Sequence, residues 1–201
     1  MEISIEQVKD LRQRTGAGII DCKAALQEAK GDMEGAIEYL RRKGLATAAK
    51  KAGRIATDGL VASYIHAGGK MGVLVEINCE TDFVAKTEDF QTFVKNIAMQ
   101  IAAANPQYIR REDIPVDVLE KERRIYKSQA LEAGKPEKVI DKIIDGKLER
   151  FYSEVCLLEQ TYIKDSDLTV KEVLDAMIAK IRENIAIRRF ARFQLGEGLQ
   201  S

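Results

Sequence analysis

The chain has 201 residues, 45% of them hydrophobic, with 32 basic and 32 acidic side chains and three prolines, enough apolar material for one large core or two smaller ones. Balanced charge excludes a global field that would draw the chain to nucleic acid or a lipid surface. No apolar run approaches the roughly 20 residues of a membrane span, and the charged start MEISIEQVKD lacks the apolar segment of a secretion signal.

Ser4 and Gln7 have the spacing of a capping box, and Ile5, Val8 and Leu11 follow at helical intervals. Gly16 and Gly18 break that helix. A second helix carries Cys22, Ala25, Leu26 and Ala29 on one face, and Gly31 ends it. Asp32 is placed to cap a third helix with Met33, Ala36, Ile37 and Leu40, which Gly44 is expected to stop. Residues 1–44 thus read as a small helical docking domain. The alanine-rich residues 45–58, with Lys50, Lys51 and Arg54 and no apolar face wide enough for a core, read as a partly helical linker.

Strand chemistry begins at Leu60. LVASYI and VLVEINC flank a turn at Gly68 and Gly69, and Val73, Val75, Ile77 and Cys79 alternate onto one face. Thr87 can cap a helix with Phe90, Phe93, Val94, Ile97 and Ile101, which the sequence NPQ ends at 105–107. Two charged helical stretches on either side of AGKPEK form a helical hairpin at about 116–151, with Val139, Ile140, Ile143 and Ile144 on the returning arm. Thr169 and Glu172 open a helix with Val173, Leu174, Met177 and Ile181. IAIRRFARFQL is the last strand; its alternation slips between Ile187 and Phe190, so a bulge or early end is expected there. GEGLQS reads as a frayed end. The fold class is α+β: residues 59–201 form a core with an antiparallel sheet of about three strands and the inserted hairpin.

Motifs for chemistry are scarce. TGAGIIDCK lacks the spacing of a phosphate-binding loop and does not follow a strand. His66, the only histidine, has no cysteine or carboxylate near it at metal-ligand spacing. Cys22, Cys79 and Cys156 are odd in number and far apart, which suits reduced, partly buried thiols; an intermolecular disulfide stays open. Glu88 and Asp89 read as first-turn carboxylates facing a helix dipole. Arg41, Arg42, Lys43, Lys50, Lys51 and Arg54 could grip phosphates, or could be helix-end and linker charges; no aromatic residues are interleaved for base stacking. A nucleic-acid module built on that cluster and a cysteine enzyme are the rivals to a two-domain binding protein.

One stretch resists a bland reading. In CETDFVAKTEDF the aromatic Phe83 follows three polar residues, Glu80, Thr81 and Asp82, at the tip of a turn. Two readings stay open: a core residue whose turn folds back, or an exposed wedge that inserts into a partner.

VKDLRQRTGAGIIDCKAALQEAKGDMEGAIEYLRRKG (residues 8–44), EINCETDFVAKTEDF (76–90), ERRIYKSQALEAGKPEKVIDKIIDGKLERFYSE (122–154) and RFQLGEG (192–198) resemble the elongation factor Ts family, in its compact forms, over nearly the whole chain. The resemblance implies a translation elongation factor that serves as guanine nucleotide exchange factor for elongation factor Tu. Such a factor binds the GDP-bound GTPase, speeds GDP release and stays on the nucleotide-free protein until GTP enters. It implies a ubiquitin-associated-like N-terminal bundle that docks near Arg12, Ile19 and Ile20. It also implies that Thr81, Asp82, Phe83 and Val84 form the segment that disturbs the partner's magnesium site. No cofactor, no metal and no bond chemistry of the chain's own are implied, nor a membrane or direct nucleic-acid partner. A cytoplasmic setting is implied, and a homodimer stays open.

Overall fold

The computed structural model describes residues 3–198. Three helices come first, α1 (Ile5–Thr15), α2 (Ile19–Glu28) and α3 (Met33–Lys51). Strands β1 (Asp58–Ile65) and β2 (Met71–Cys79) follow, then a single-turn helix α4 (Asp82–Ala85) and the long α5 (Glu88–Ala104). Next come α6 (Val116–Glu132), α7 (Glu137–Val155), β3 (Thr161–Tyr162), β4 (Asp165–Thr169), α8 (Val170–Ile181) and β5 (Ile185–Gln194). The architecture is α+β: N-terminal helices, then an antiparallel three-stranded sheet ordered β1-β2-β5 with helices around it. Of the end expected to fray, residues 199–201 lie outside the described residues.

The chain forms two compact units. One takes the stretch up to Val61 with Glu76–Val94 and Glu172–Ile187; the other takes Ala62–Val75, Lys95–Lys171 and the stretch from Arg188.

In the first unit, α1 starts on a complete capping box. Ser4 Oγ accepts from the Gln7 amide and Gln7 Oε1 accepts from the Ser4 amide, at 3.1 and 3.0 Å. Gly16 caps its C-terminus at φ 66°, whereas Gly18 (φ −62°) is an ordinary N-cap to α2. The second helix ends with the Gly31 amide donating to the Leu26 carbonyl at 2.8 Å, and Asp32 caps α3 through the Gly35 amide. Leu11, Cys22, Ala25, Leu26 and Ala36 form the buried centre of these helices, with Val8, Ile37 and Leu40 packed against it.

One expectation fails in this unit. Gly44 does not stop α3, which runs on to Lys51. A Cβ at position 44 would stand 3.5 Å from the Cβ of Ala179 on α8, so this glycine marks a close helix approach rather than an end. On α8 the buried row is Val170, Leu174 and Ile178, while Val173, Met177 and Ile181 are half-buried. Both i, i+4, i+8 rows are apolar and lie one residue apart, and periodicity cannot choose between them.

In the second unit, α6 and α7 form the hairpin. Ala130, Ile140, Ile144 and Leu148 are buried between them, with Leu119, Tyr126, Ile143 and Tyr152 packed alongside. Two buried amides hold the segment that follows. Gln100 Nε2 donates to Gln160 Oε1 and to the Thr161 carbonyl, and Gln100 Oε1 accepts from the Ile163 amide at 2.8 Å. That segment is an antiparallel ribbon, β3 with β4, pairing Thr161 with Thr169 and Tyr162 with Asp165. The sequence gives it no alternation to read.

The alternating face of β2 is as expected: Val73, Val75, Ile77 and Cys79 are all buried. So are Phe90, Phe93, Val94, Ile97 and Ile101 on α5. On β5, Ile185 and Ile187 are buried and Arg188 and Arg189 are both exposed, yet the strand continues to Gln194, so the slip in pattern is not an early end.

Candidate functional site

The turn after β2 is built by two threonines. Thr81, extended at φ −135° and ψ 152°, caps α4 by accepting from the Val84 amide through Oγ1. Thr87 closes α4 by donating its hydroxyl to the Val84 carbonyl at 2.8 Å, and the same oxygen accepts the Phe90 amide at the start of α5. Between these caps lies one helical turn. Ala85 faces inward and is buried, Val84 is half-buried, and Phe83 points outward with 79% of its surface exposed. This overturns the reading of Phe83 as a core residue. Asp82 beside it pairs with Lys86 at 2.7 Å, and that hydrogen bond holds the Asp82 carboxyl below its usual range.

The base of the turn is fixed by residues 183 and 184, between α8 and β5. The Glu183 carboxylate accepts the Glu80 and Thr81 amides, both at 3.1 Å, and the Thr81 hydroxyl at 2.8 Å. Glu80 reciprocates by accepting the Asn184 amide at 2.7 Å, and the Arg54 guanidinium approaches its other oxygen at 3.4 Å. The Asn184 amide, with help from Arg54, lowers the Glu80 pKa. Asn184 Nδ2 donates to the Arg54 carbonyl at 2.6 Å. Arg182, at φ 64°, turns its guanidinium to Asp21 on α2, 3.1 Å away.

The N-terminal candidates lie in the same compact unit. Arg12 is exposed near the end of α1, and Ile19 and Ile20 open α2 with 58% and 84% of their surfaces exposed. The next residue, Asp21, pairs with Lys43 at 2.8 Å and with Arg182; the Lys43 bond chiefly lowers its pKa. Helix α2 therefore buries Cys22, Ala25 and Leu26 on one side and shows two isoleucines on the other. The path from these isoleucines to Thr81 runs through Asp21, Arg182 and Glu183. Sequence reading did not find Glu80, Arg54, Glu183 or Asn184 as parts of this site. Glu183 lies 102 positions from Thr81, and nothing local in the sequence marks the pairing.

The residues behind the rival readings are placed as follows. Of the basic cluster, Arg41 pairs with Glu172, Lys43 with Asp21, Arg54 with Glu80, and Arg42 stands 4.0 Å from Glu38. These are surface pairs, and Lys50 (exposed) and Lys51 (half-buried) complete the cluster. All three cysteines are free and buried. Burial raises each thiol pKa, that of Cys156 to about 11, and so disfavours the nucleophilic thiolate. His66 sits in the β1–β2 turn with Nδ1 3.0 Å from the Tyr64 hydroxyl. Among the described residues no cluster of His, Cys, Asp or Glu could hold a metal ion, and no helix is long and apolar enough to cross a membrane.

Comparison with known proteins decides the family. The profile of the family Elongation factor TS matches residues 47–197. The chain belongs to the elongation factor Ts family. An elongation factor Ts from Carboxydothermus hydrogenoformans is 66% identical over 197 residues, covering 98% of this chain and 91% of that protein. One from Thermoanaerobacter sp. is 64% identical over 199 residues (99% and 98%), and one from Geobacter sulfurreducens 60% over 200 residues (100% and 93%). As a member of the elongation factor Ts family, the chain has its role in translation elongation within protein biosynthesis.

Proposed function

We propose that this chain is a guanine nucleotide exchange factor for elongation factor Tu, acting in the cytoplasm without cofactor, metal or bond chemistry of its own. It binds the GDP-bound GTPase, promotes GDP release, and remains on the nucleotide-free form until GTP enters. Residues 1–44 serve as the docking domain, residues 45–58 as the connection, and residues 59–201 as the core that acts on the nucleotide site. Arg12, Ile19 and Ile20 contact the GTPase; Thr81, Asp82, Phe83 and Val84 enter beside its magnesium site.

The observation that carries this reading is the exposed Phe83 ring on a helical turn whose base is pinned by side-chain bonds. GDP is held by a magnesium ion and by backbone amides around its phosphates, and its release is slow because those contacts break together. A rigid aromatic pressed between elements of the GTPase displaces the segments that hold the ion. Asp82 adds polar contacts to the displaced backbone. Because the factor binds the loosened state better, nucleotide binds the complex worse. The coupling is reciprocal, with about 1.4 kcal/mol of differential binding for each tenfold change in nucleotide affinity.

The test is release of a fluorescent GDP analogue from purified elongation factor Tu. The wild-type chain accelerates release and Phe83→Ala, though folded, does so far less. Equal acceleration by the two would remove Phe83 from the mechanism, and no acceleration by the wild type would remove the exchange reading itself.

A further inference from the structure

The exposed Phe83 ring adds little to holding its own turn, which rests on the buried Ala85 and on polar bonds at its base. What fixes its direction is Glu183, whose carboxylate accepts two successive backbone amides, from Glu80 and Thr81, and the Thr81 hydroxyl. The bonds run in both directions: Glu80 accepts the Asn184 amide, and Asn184 donates to the Arg54 carbonyl. One residue earlier, Arg182 reaches Asp21, directly after the exposed Ile19 and Ile20. Residues 183 and 184 thus hold the base of the turn, and Arg182 beside them reaches α2 through a surface ion pair.

We propose that Glu183 and Asn184 are a positioning clamp, with Glu183 as the residue that aims Phe83. The inference rests on the exchange reading above and adds to it a determinant of rate that touches no partner atom. A charged acceptor bonded to three donors makes a stiffer base than neutral bonds would. Stiffness matters here because a wedge that must be ordered on binding spends part of its contact energy on that ordering. Glu183 therefore governs how fast a bound factor drives nucleotide out, more than how tightly the factor docks.

Glu183→Gln keeps the shape and removes the charge and one acceptor oxygen. It lowers the maximal rate of GDP release on the order of tenfold, as expected for loss of charge-assisted bonds. The half-saturating concentration of factor stays within about threefold, because docking contacts remain. In a Phe83→Ala background the same substitution changes the maximal rate by less than about twofold, since the two residues act as one device. An equal loss in both backgrounds overturns the proposal, as does a change confined to half-saturation. Thr81→Val, which deletes the hydroxyl donor together with the cap it offers the Val84 amide, repeats the pattern and serves if Glu183→Gln fails to fold.

Amide hydrogen exchange in the free wild-type chain gives an answer independent of elongation factor Tu. The Glu80 and Thr81 amides are protected, and Glu183→Gln exposes both while the β2 amides stay protected. Unprotected amides in the wild type overturn the clamp even if exchange activity is normal. Protected amides in a chain that releases no GDP leave the clamp standing and sink the functional reading.

Discussion

The turn that enters β2 and the turn that leaves it differ in what holds them. Between β1 and β2, the His66 amide donates to the Met71 carbonyl and the Gly69 amide to the His66 carbonyl, both at 2.9 Å. Gly68 and Gly69 take φ of 90° and 68°, and a Cβ on either would meet nothing within 4 Å. Backbone bonds and glycine, with one local Tyr64–His66 side-chain contact, serve a turn that only reverses the chain. After β2 the chain carries an apolar ring out into solvent and holds it there with Thr81, Glu80 and Glu183. Ordering a segment costs about 1–2 kcal/mol of backbone entropy per residue, and a turn with no buried ring to offset that cost has to recover it from polar bonds. The contrast teaches where to look for function: a surface segment that shows its largest apolar ring to solvent and is tied down by side chains from far along the chain is one whose direction matters.

The largest expected effect separates the two turns directly. Phe83→Ala lowers maximal stimulated GDP release on the order of tenfold to a hundredfold, the scale of an interface anchor. His66→Ala in the other turn leaves it unchanged. Both positions are exposed, so thermal unfolding shows each variant within about 0.5 kcal/mol of the wild type. A matching loss in the two variants would erase the distinction.

Glycine gives the next contrast. Gly69→Val forces a β-branched side chain into a left-handed backbone and destabilises the fold by about 1–2 kcal/mol. Release of GDP per folded molecule stays the same. Gly44→Ala has the opposite sign. Position 44 is helical, the added methyl meets the Ala179 Cβ at ordinary contact distance, and helix propensity adds about 0.5–1 kcal/mol of stability. Denaturant melts of the two variants check both signs. A destabilised Gly44→Ala would mean that α3 and α8 have no room for a methyl.

The same pair of glycines shows how much of this molecule could be read from its sequence. Glycine signals both turns and close approaches, so the same residue type marks a turn at Gly68 and Gly69 and a helix contact at Gly44, where sequence alone predicts an end. Val73, Val75, Ile77 and Cys79 declared their face because the residues between them are unlike them. Helix α8 did not, because Val173, Met177 and Ile181 look as apolar as the buried row beside them. The β3–β4 ribbon has too few residues, most of them polar, for any period. At the candidate site, the capping chemistry of Thr81 and Thr87 is local and legible, and the odd place of Phe83 could be noticed. The exposure of its ring depends on where Ala85 and Glu183 lie in space. Glu183 approaches Thr81 only because α8 returns the chain to the end of β2, a tertiary fact with no local mark.

The smallest effect comes from pH. The Glu80 carboxylate accepts the Asn184 amide and faces Arg54, and these bonds favour its charged form, so its folded pKa lies below the usual 4.5. A lowered carboxylate pKa means that the bond's contribution is complete above the unfolded value. It is lost as pH falls through the folded one. The Asn184 amide therefore keeps its chemical shift and protection down to about pH 4.5 and loses both below it. The Gly69 amide, bonded to a backbone carbonyl, shows no matching titration. A midpoint for Asn184 at or above 4.5 would mean that Glu80 is not its acceptor in solution, and the reciprocal half of the clamp would have to be given up while the Glu183 half stood on its own bonds.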